Sequence, residues 1–171
     1  MEFATKCIHE IGAADATSAC LGALDAWLVI RGIKTLPLRM EQHQKNAFAI
    51  AKWLQEQPRV QYVLYPGLEN HPGYEINKAQ TTGFGGMISF AVDSAETARQ
   101  ILEGVKLIKF AESLGGTESL ITYPIRQTHT DLTAEECAEK GITDCLLRFS
   151  AGIEATQDLI DDLAQAFAAV E

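Results

Sequence analysis

The sequence predicts an α+β fold: a two-layer sandwich of a mainly antiparallel sheet with helices on one face, preceded by a long kinked helix. Three observations predict it. Up to Gln57 the apolar residues recur at helical spacing, with Pro37 as an interruption. From Val60 the period shortens, and short apolar runs alternate with two helix starts of capping-box type. The resulting order, long helices and then β-α-β-β-α-β-α, suits helices laid on one side of a sheet.

The first helical stretch runs from Ala13, with Leu21, Leu24, Trp27 and Leu28 at i, i+3, i+4 spacing. At Pro37 the helix must kink or restart, because proline has no N–H to give the ladder. Beyond it Ala47, Ile50, Ala51 and Leu54 share a face, Glu41, Gln42, Lys45, Lys52 and Gln55 share the opposite one, and Pro58 stops the helix. Val60–Leu64 reads as a strand ended by Tyr65-Pro66-Gly67, and Tyr74–Ala79 as one or two helical turns. Met87–Val92 alternates Ile88, Phe90 and Val92 against Met87, Ser89 and Ala91, as a strand does. Asp93-x-x-Glu96 opens a helix to about Leu102. Leu107–Phe110 and Leu120–Tyr123 are further strands, Thr133-x-x-Glu136 caps a short helix to Lys140, and Cys145–Ser150 is a strand. Thr156–Val170 is an amphipathic helix with Leu159, Ile160, Leu163, Ala166, Phe167 and Val170 inward. The organisation is then a short N-terminal segment (1–12), a long kinked linker helix (13–57) and a C-terminal α+β domain (58–171).

The 171 residues are 47% hydrophobic, enough for one packed core. A net charge of −9 with no Lys/Arg cluster argues against nucleic acid as a partner. No apolar run approaches the roughly 20 residues needed to span a bilayer, and residues 1–10 contain no signal-type apolar core. Cys7, Cys20, Cys137 and Cys145 form no Cys-x-x-Cys pair, which fits reduced thiols in a cytoplasmic protein. His9, His43, His71 and His129 share no metal-ligand spacing, so no metal site is expected. Gly83-Phe84-Gly85-Gly86 precedes a strand rather than a helix, which fits a packing turn better than a phosphate loop.

Arg148 is the residue with the most chemistry in it. It sits among Leu146, Leu147 and Phe149 in a strand, where a cation must find an anion. A guanidinium matches a carboxylate bidentately, so an amino-acid substrate is one partner; a structural pair with Glu154 or another acid is the other. Gly115-Gly116 gives a tight turn beside Glu118 and Ser119, and Thr128 follows near a strand end.

The stretches Asp25–Leu36, Arg39–His43, Gly83–Phe90, Ala111–Leu120, Thr128-His129 and Leu147–Glu154, in this order, resemble the C-terminal part of the Cys/Met-metabolism enzymes that use pyridoxal phosphate. That family includes cystathionine γ-synthase, cystathionine β- and γ-lyases and methionine γ-lyase; Ile121–Pro124 and the Thr117-Glu118 pair are nearest the synthase and β-lyase. The resemblance implies that Arg148 grips the substrate α-carboxylate, that Ser119 stands beside the substrate, that Glu118 tunes substrate choice and that Thr128 lies near the carboxylate. It also implies a cofactor lysine in a Ser-x-Thr-Lys-Tyr type segment, a ring-pairing aspartate and a phosphate loop, none of which this sequence contains. Met1–His9 is similar to the extreme N-terminus of family members, with the junction at Glu10–Gly12.

The implied function is the substrate-side domain of a transsulfuration enzyme with a small amino-acid substrate. This chain alone is expected to be inactive, to bind no cofactor and to offer no catalytic residue. In the family the first helix packs against the cofactor domain. Its apolar face is therefore expected to be exposed here and to favour homo-oligomers, and the alternative function is a non-catalytic oligomerisation or regulatory module.

Overall fold

The computed structural model describes residues 21–170. The expectations for Met1–His9, His9, Cys7, Cys20, the Glu10–Gly12 junction and the helix start at Ala13 lie outside the described residues. The chain divides into two compact units, Met1–Pro37 and Leu38–Glu171.

In the first unit, helix α1 covers Ala23–Ile33, with Asp25 in its first turn and Arg31 in its last, both favourable to the helix dipole. None of its residues is buried, and Leu24, Trp27, Leu28, Val29, Ile30 and Ile33 are between 50% and 68% exposed. The restart expected at Pro37 is seen: α2 covers Leu36–Gln55, with Pro37 in the first turn, where no N–H is required.

The second unit holds a five-stranded sheet: β1 (Val60–Leu64), β2 (Met87–Val92), β3 (Lys109–Phe110), β4 (Leu120–Thr122) and β5 (Leu146–Ser150). Their spatial order is β1-β2-β5-β4-β3. All neighbours are antiparallel except β3 and β4, which run parallel. The remaining helices are α3 (Tyr74–Gln80), α4 (Ala95–Gly104), α5 (Ala134–Glu139) and α6 (Thr156–Ala168).

One sheet face makes the core. Val63, Ile88, Phe90, Ile121, Leu147 and Phe149 pack with Ala47, Ile50, Ala51 and Leu54 of α2, Ala98, Ile101 and Leu102 of α4, and Leu159 and Leu163 of α6. Fully burying one such Leu, Ile or Phe contributes about 1.5–3 kcal/mol, so this face supplies most of the unit's stability. Trp53 and Phe167 close its edge in a T-shaped pair with ring centroids 5.5 Å apart. Because side chains alternate along a strand, Ser89, Thr122 and Arg148 project from the opposite face.

Three local expectations are corrected. The cap of α4 is Ser94, not Asp93: the Ser94 hydroxyl accepts from the Thr97 N–H at 3.0 Å, while Asp93 accepts from the Thr97 hydroxyl at 2.6 Å. Ser94→Ala is accordingly expected to cost about 1 kcal/mol in urea unfolding. The strand expected at Leu107–Phe110 shrinks to Lys109–Phe110, because the N–H groups of Lys106, Leu107 and Ile108 all donate to the buried carboxylate of Asp162. Tyr123 leaves β4, its N–H donating to Gln127 Oε1 at 2.8 Å as the 3-10 turn Pro124–Arg126 begins. The box at Thr133 and Glu136 forms in full, and the Thr133 N–H, with the Thr133 hydroxyl, holds the Glu136 carboxyl below the usual range.

Candidate functional site

Arg148 lies on β5, the central strand, between Ser89 of β2 and Thr122 of β4 in register. Leu147 and Phe149 on either side point into the core and are fully buried, which fixes Arg148 on the other face. Its Nη2 donates to Thr122 Oγ1 at 3.3 Å. Its Nε is buried and has no hydrogen-bond partner.

The expected structural alternative, a pair with Glu154 or another acid, is not what the structure shows. Among the described residues Arg148 makes no ion pair, and it is partly buried. Glu154 is already engaged: its carboxylate accepts from the Ser119 N–H at 2.6 Å and from the Ser119 hydroxyl at 2.8 Å. Glu118 is exposed, and its carboxylate accepts from the Thr117 hydroxyl at 3.3 Å. A buried guanidinium donor with no acid beside it is costly, and a planar carboxylate is one group that can satisfy it bidentately.

Ser119 is fully buried. Besides donating to Glu154, its hydroxyl accepts from the Gly152 N–H at 2.8 Å, so it pins the start of β4 to the end of β5. Gly115 turns the preceding loop at φ +75°, in the left-handed region that favours glycine, and its N–H donates to Ser150 Oγ at 2.9 Å. Thr128 lies beyond the 3-10 turn, its Oγ1 2.7 Å from His129 Nδ1, and no hydrogen bond joins it to Arg148. The structure thus places Arg148 on β5 and Ser119 at the entry to the neighbouring β4, in separate hydrogen-bond networks: Arg148 with Thr122, and Ser119 with Gly152 and Glu154. Glu118 and Thr128 take part in neither.

A buried polar network behind the site was not foreseen from the sequence. His43 Nδ1 lies 2.6 Å from the Ala151 carbonyl. Asn46 donates to the carbonyls of Gly152 and Glu154, each at 2.9 Å, and accepts from the Thr156 hydroxyl at 2.6 Å. Both residues fall on the Ala47–Ile50–Leu54 stripe of α2. Polar residues in an apolar stripe were the available signal.

The Gly83–Gly86 segment is a packing turn, as expected. The Tyr65 hydroxyl donates to the Gly85 carbonyl at 2.9 Å, and burial pushes that phenol up to about 12. A Cβ on Gly86 would sit 3.2 Å from the Ala151 carbonyl. No group of three His, Cys, Asp or Glu among the described residues is placed to hold a metal.

Pyridoxal phosphate would need an amine facing Arg148. Lys52 lies over the Phe48 ring, Lys78 over the Tyr74 ring, and Lys109 donates to the Lys106 carbonyl at 2.9 Å. No described lysine amine hydrogen-bonds to Ser119 or Thr122.

The sequence model of the family described as Cys/Met metabolism PLP-dependent enzyme matches residues 4–168. Cystathionine gamma-lyase of Bacillus subtilis is 51% identical over 152 residues, covering 89% of this chain and 40% of that protein. Cystathionine gamma-synthase of Haemophilus influenzae is 51% identical over 150 residues, covering 88% of this chain and 36% of that protein. Among solved structures, cystathionine gamma-lyase from Lactobacillus plantarum complexed with L-serine superposes with a TM-score of 0.85 at 40% identity, over 91% of this chain and 41% of that one. The chain therefore spans about 40% of the length of the curated relatives it matches.

Proposed function

Because the chain belongs to the Cys/Met-metabolism family of pyridoxal phosphate-dependent enzymes, we propose that it is the substrate-side part of a transsulfuration enzyme of the cystathionine synthase or lyase type. The observation that carries this reading is the Arg148 guanidinium, partly buried, without an acid and with Nε unpartnered. In this reading Arg148 takes the α-carboxylate of a small amino acid through two parallel N–H···O bonds. Ser119 fixes the strand end beside it, and Glu118 and Thr128 border the substrate from the adjoining turns.

The family's cofactor supplies the electron sink for cleaving or forming C–S bonds, and this chain supplies the carboxylate grip. The chain by itself is catalytically silent. Mixed with pyridoxal phosphate and L-cystathionine, it is expected to yield no oxoacid above the cofactor-alone rate; sustained turnover would sink that part of the reading. Calorimetry tests the grip. L-homoserine is expected to bind the chain weakly, and Arg148→Ala to weaken that binding about tenfold or more, the worth of one or two charge-assisted hydrogen bonds. Equal binding by both proteins would remove Arg148 from the site.

A second reading is favoured by α1. Its exposed Leu24, Trp27, Leu28, Val29, Ile30 and Ile33 form an apolar surface that suits self-association, and the chain then acts as an oligomerisation or regulatory module. Light scattering is expected to show dimers or larger species that Trp27→Asp with Ile30→Asp dissociates. A monomer at every concentration would rule this reading out. We place the protein in the cytoplasm, which its acidic composition and unpatterned cysteines support. No helix among the described residues is long and apolar enough to cross a membrane.

A further inference from the structure

We propose that Thr122 is a positioning residue for Arg148: its hydroxyl fixes which way the guanidinium faces. This rests on the reading of Arg148 as the carboxylate grip, and it adds a residue that the family resemblance did not single out. Three observations on adjacent strands carry it. Thr122 stands directly opposite Arg148 in the β4–β5 register and is almost fully buried. Its hydroxyl has one proton, and that proton goes to the Ala111 carbonyl at 2.8 Å. The oxygen facing Arg148 can therefore only accept, and it accepts from Nη2 at 3.3 Å. An alcohol that could rotate would be a poor guide. This one is held by a backbone carbonyl just past the end of β3, so it works as a fixed acceptor.

The consequence for Arg148 is directional. Of its donors, Nη2 is tethered to the sheet, and the buried Nε is left without a partner. Rotation about the Cζ–Nε bond would have to break the Thr122 contact. The guanidinium thus waits with its plane set, and an incoming carboxylate meets it in one orientation rather than several. Thr122→Val keeps the shape and the β-branch but removes the acceptor; Thr122→Ser keeps the acceptor.

Nitrogen-15 NMR of the Arg148 side chain in the full chain tests this. In Thr122→Val the exchange of the two Nη nitrogens by rotation is expected to speed up about tenfold, and L-homoserine affinity to fall about tenfold, each equivalent to about 1.4 kcal/mol. Thr122→Ser is expected to stay within about twofold of the parent in both, a rescue that loss of packing alone would not give. An unchanged Arg148 rotation rate in Thr122→Val, in a protein that unfolds as the parent does, overturns the proposal. If the rotation rates differ as expected but homoserine leaves the Arg148 signals of the parent chain unmoved, the positioning contact stands and the carboxylate reading falls.

Discussion

Asp162→Ala is expected to cost about 3 kcal/mol or more, from the loss of several charge-assisted hydrogen bonds at once. The carboxylate of Asp162 is buried on α6 and accepts from the N–H groups of Lys106 at 2.9 Å, Leu107 at 3.0 Å and Ile108 at 2.9 Å. Ile108 is itself buried, so its N–H finds no water when the acceptor goes. Lys106 and Leu107 are exposed and can turn to solvent, which keeps the cost below three full desolvation penalties. Asp162→Asn is expected to lose less, because the amide oxygen still accepts while its NH2 opposes one of the three donors. Chemical denaturation with both variants checks the order. The effect reaches the site: residues 106–108 lead into β3, and Ala111 just after β3 holds the Thr122 hydroxyl. Asp162→Ala is therefore also expected to free the Arg148 guanidinium.

Asp162 shows where the sequence was readable and where it was not. The apolar stripe of α6 was plain from Leu159, Leu163 and Ala166, and all three are buried. Asp162 is three residues after Leu159 and four before Ala166, so it belongs to the same stripe. Amphipathic reasoning assigns any acid to the wet face and passes over this one. What it binds, a run of backbone N–H groups 54 to 56 positions away, has no local signature.

Arg148 divides in the same way. Its neighbours Leu147 and Phe149 disclosed a cation in an apolar strand. Its partner is 26 positions away and meets it only through the β4–β5 register. Glu154, close in sequence and opposite in charge, was the natural guess, but its carboxylate faces Ser119. Strands β1 and β2 were legible to the residue because alternation and turn residues bound them locally. β3 was not, since its length is decided by an acceptor on α6.

Gly152→Ala is the second large effect, expected to remove about 4 kcal/mol as overpacking and broken hydrogen bonds combine. Gly152 follows β5, and its backbone is not in the left-handed region, so the objection to a side chain is space alone. A Cβ there would stand 2.6 Å from the Glu118 carbonyl carbon and closer still to the Thr117 carbonyl oxygen and the Glu154 carboxylate. Two of those three are backbone, and neither can move singly. Thr117 accepts from the Ile153 N–H at 2.8 Å, and Ser119 is bound to both Gly152 and Glu154. Relief requires the 117–119 strand entry to part from 151–154, which breaks all of these bonds together. Gly115→Ala is the comparison: φ is +75° but nothing lies within 4 Å, so only the left-handed penalty of about 1–2 kcal/mol applies. Gly152→Ala should therefore unfold at clearly lower denaturant than Gly115→Ala. A reversed order would mean that the Ser119–Gly152–Glu154 junction does not hold β4 against β5, and with it the register that puts Thr122 on Arg148.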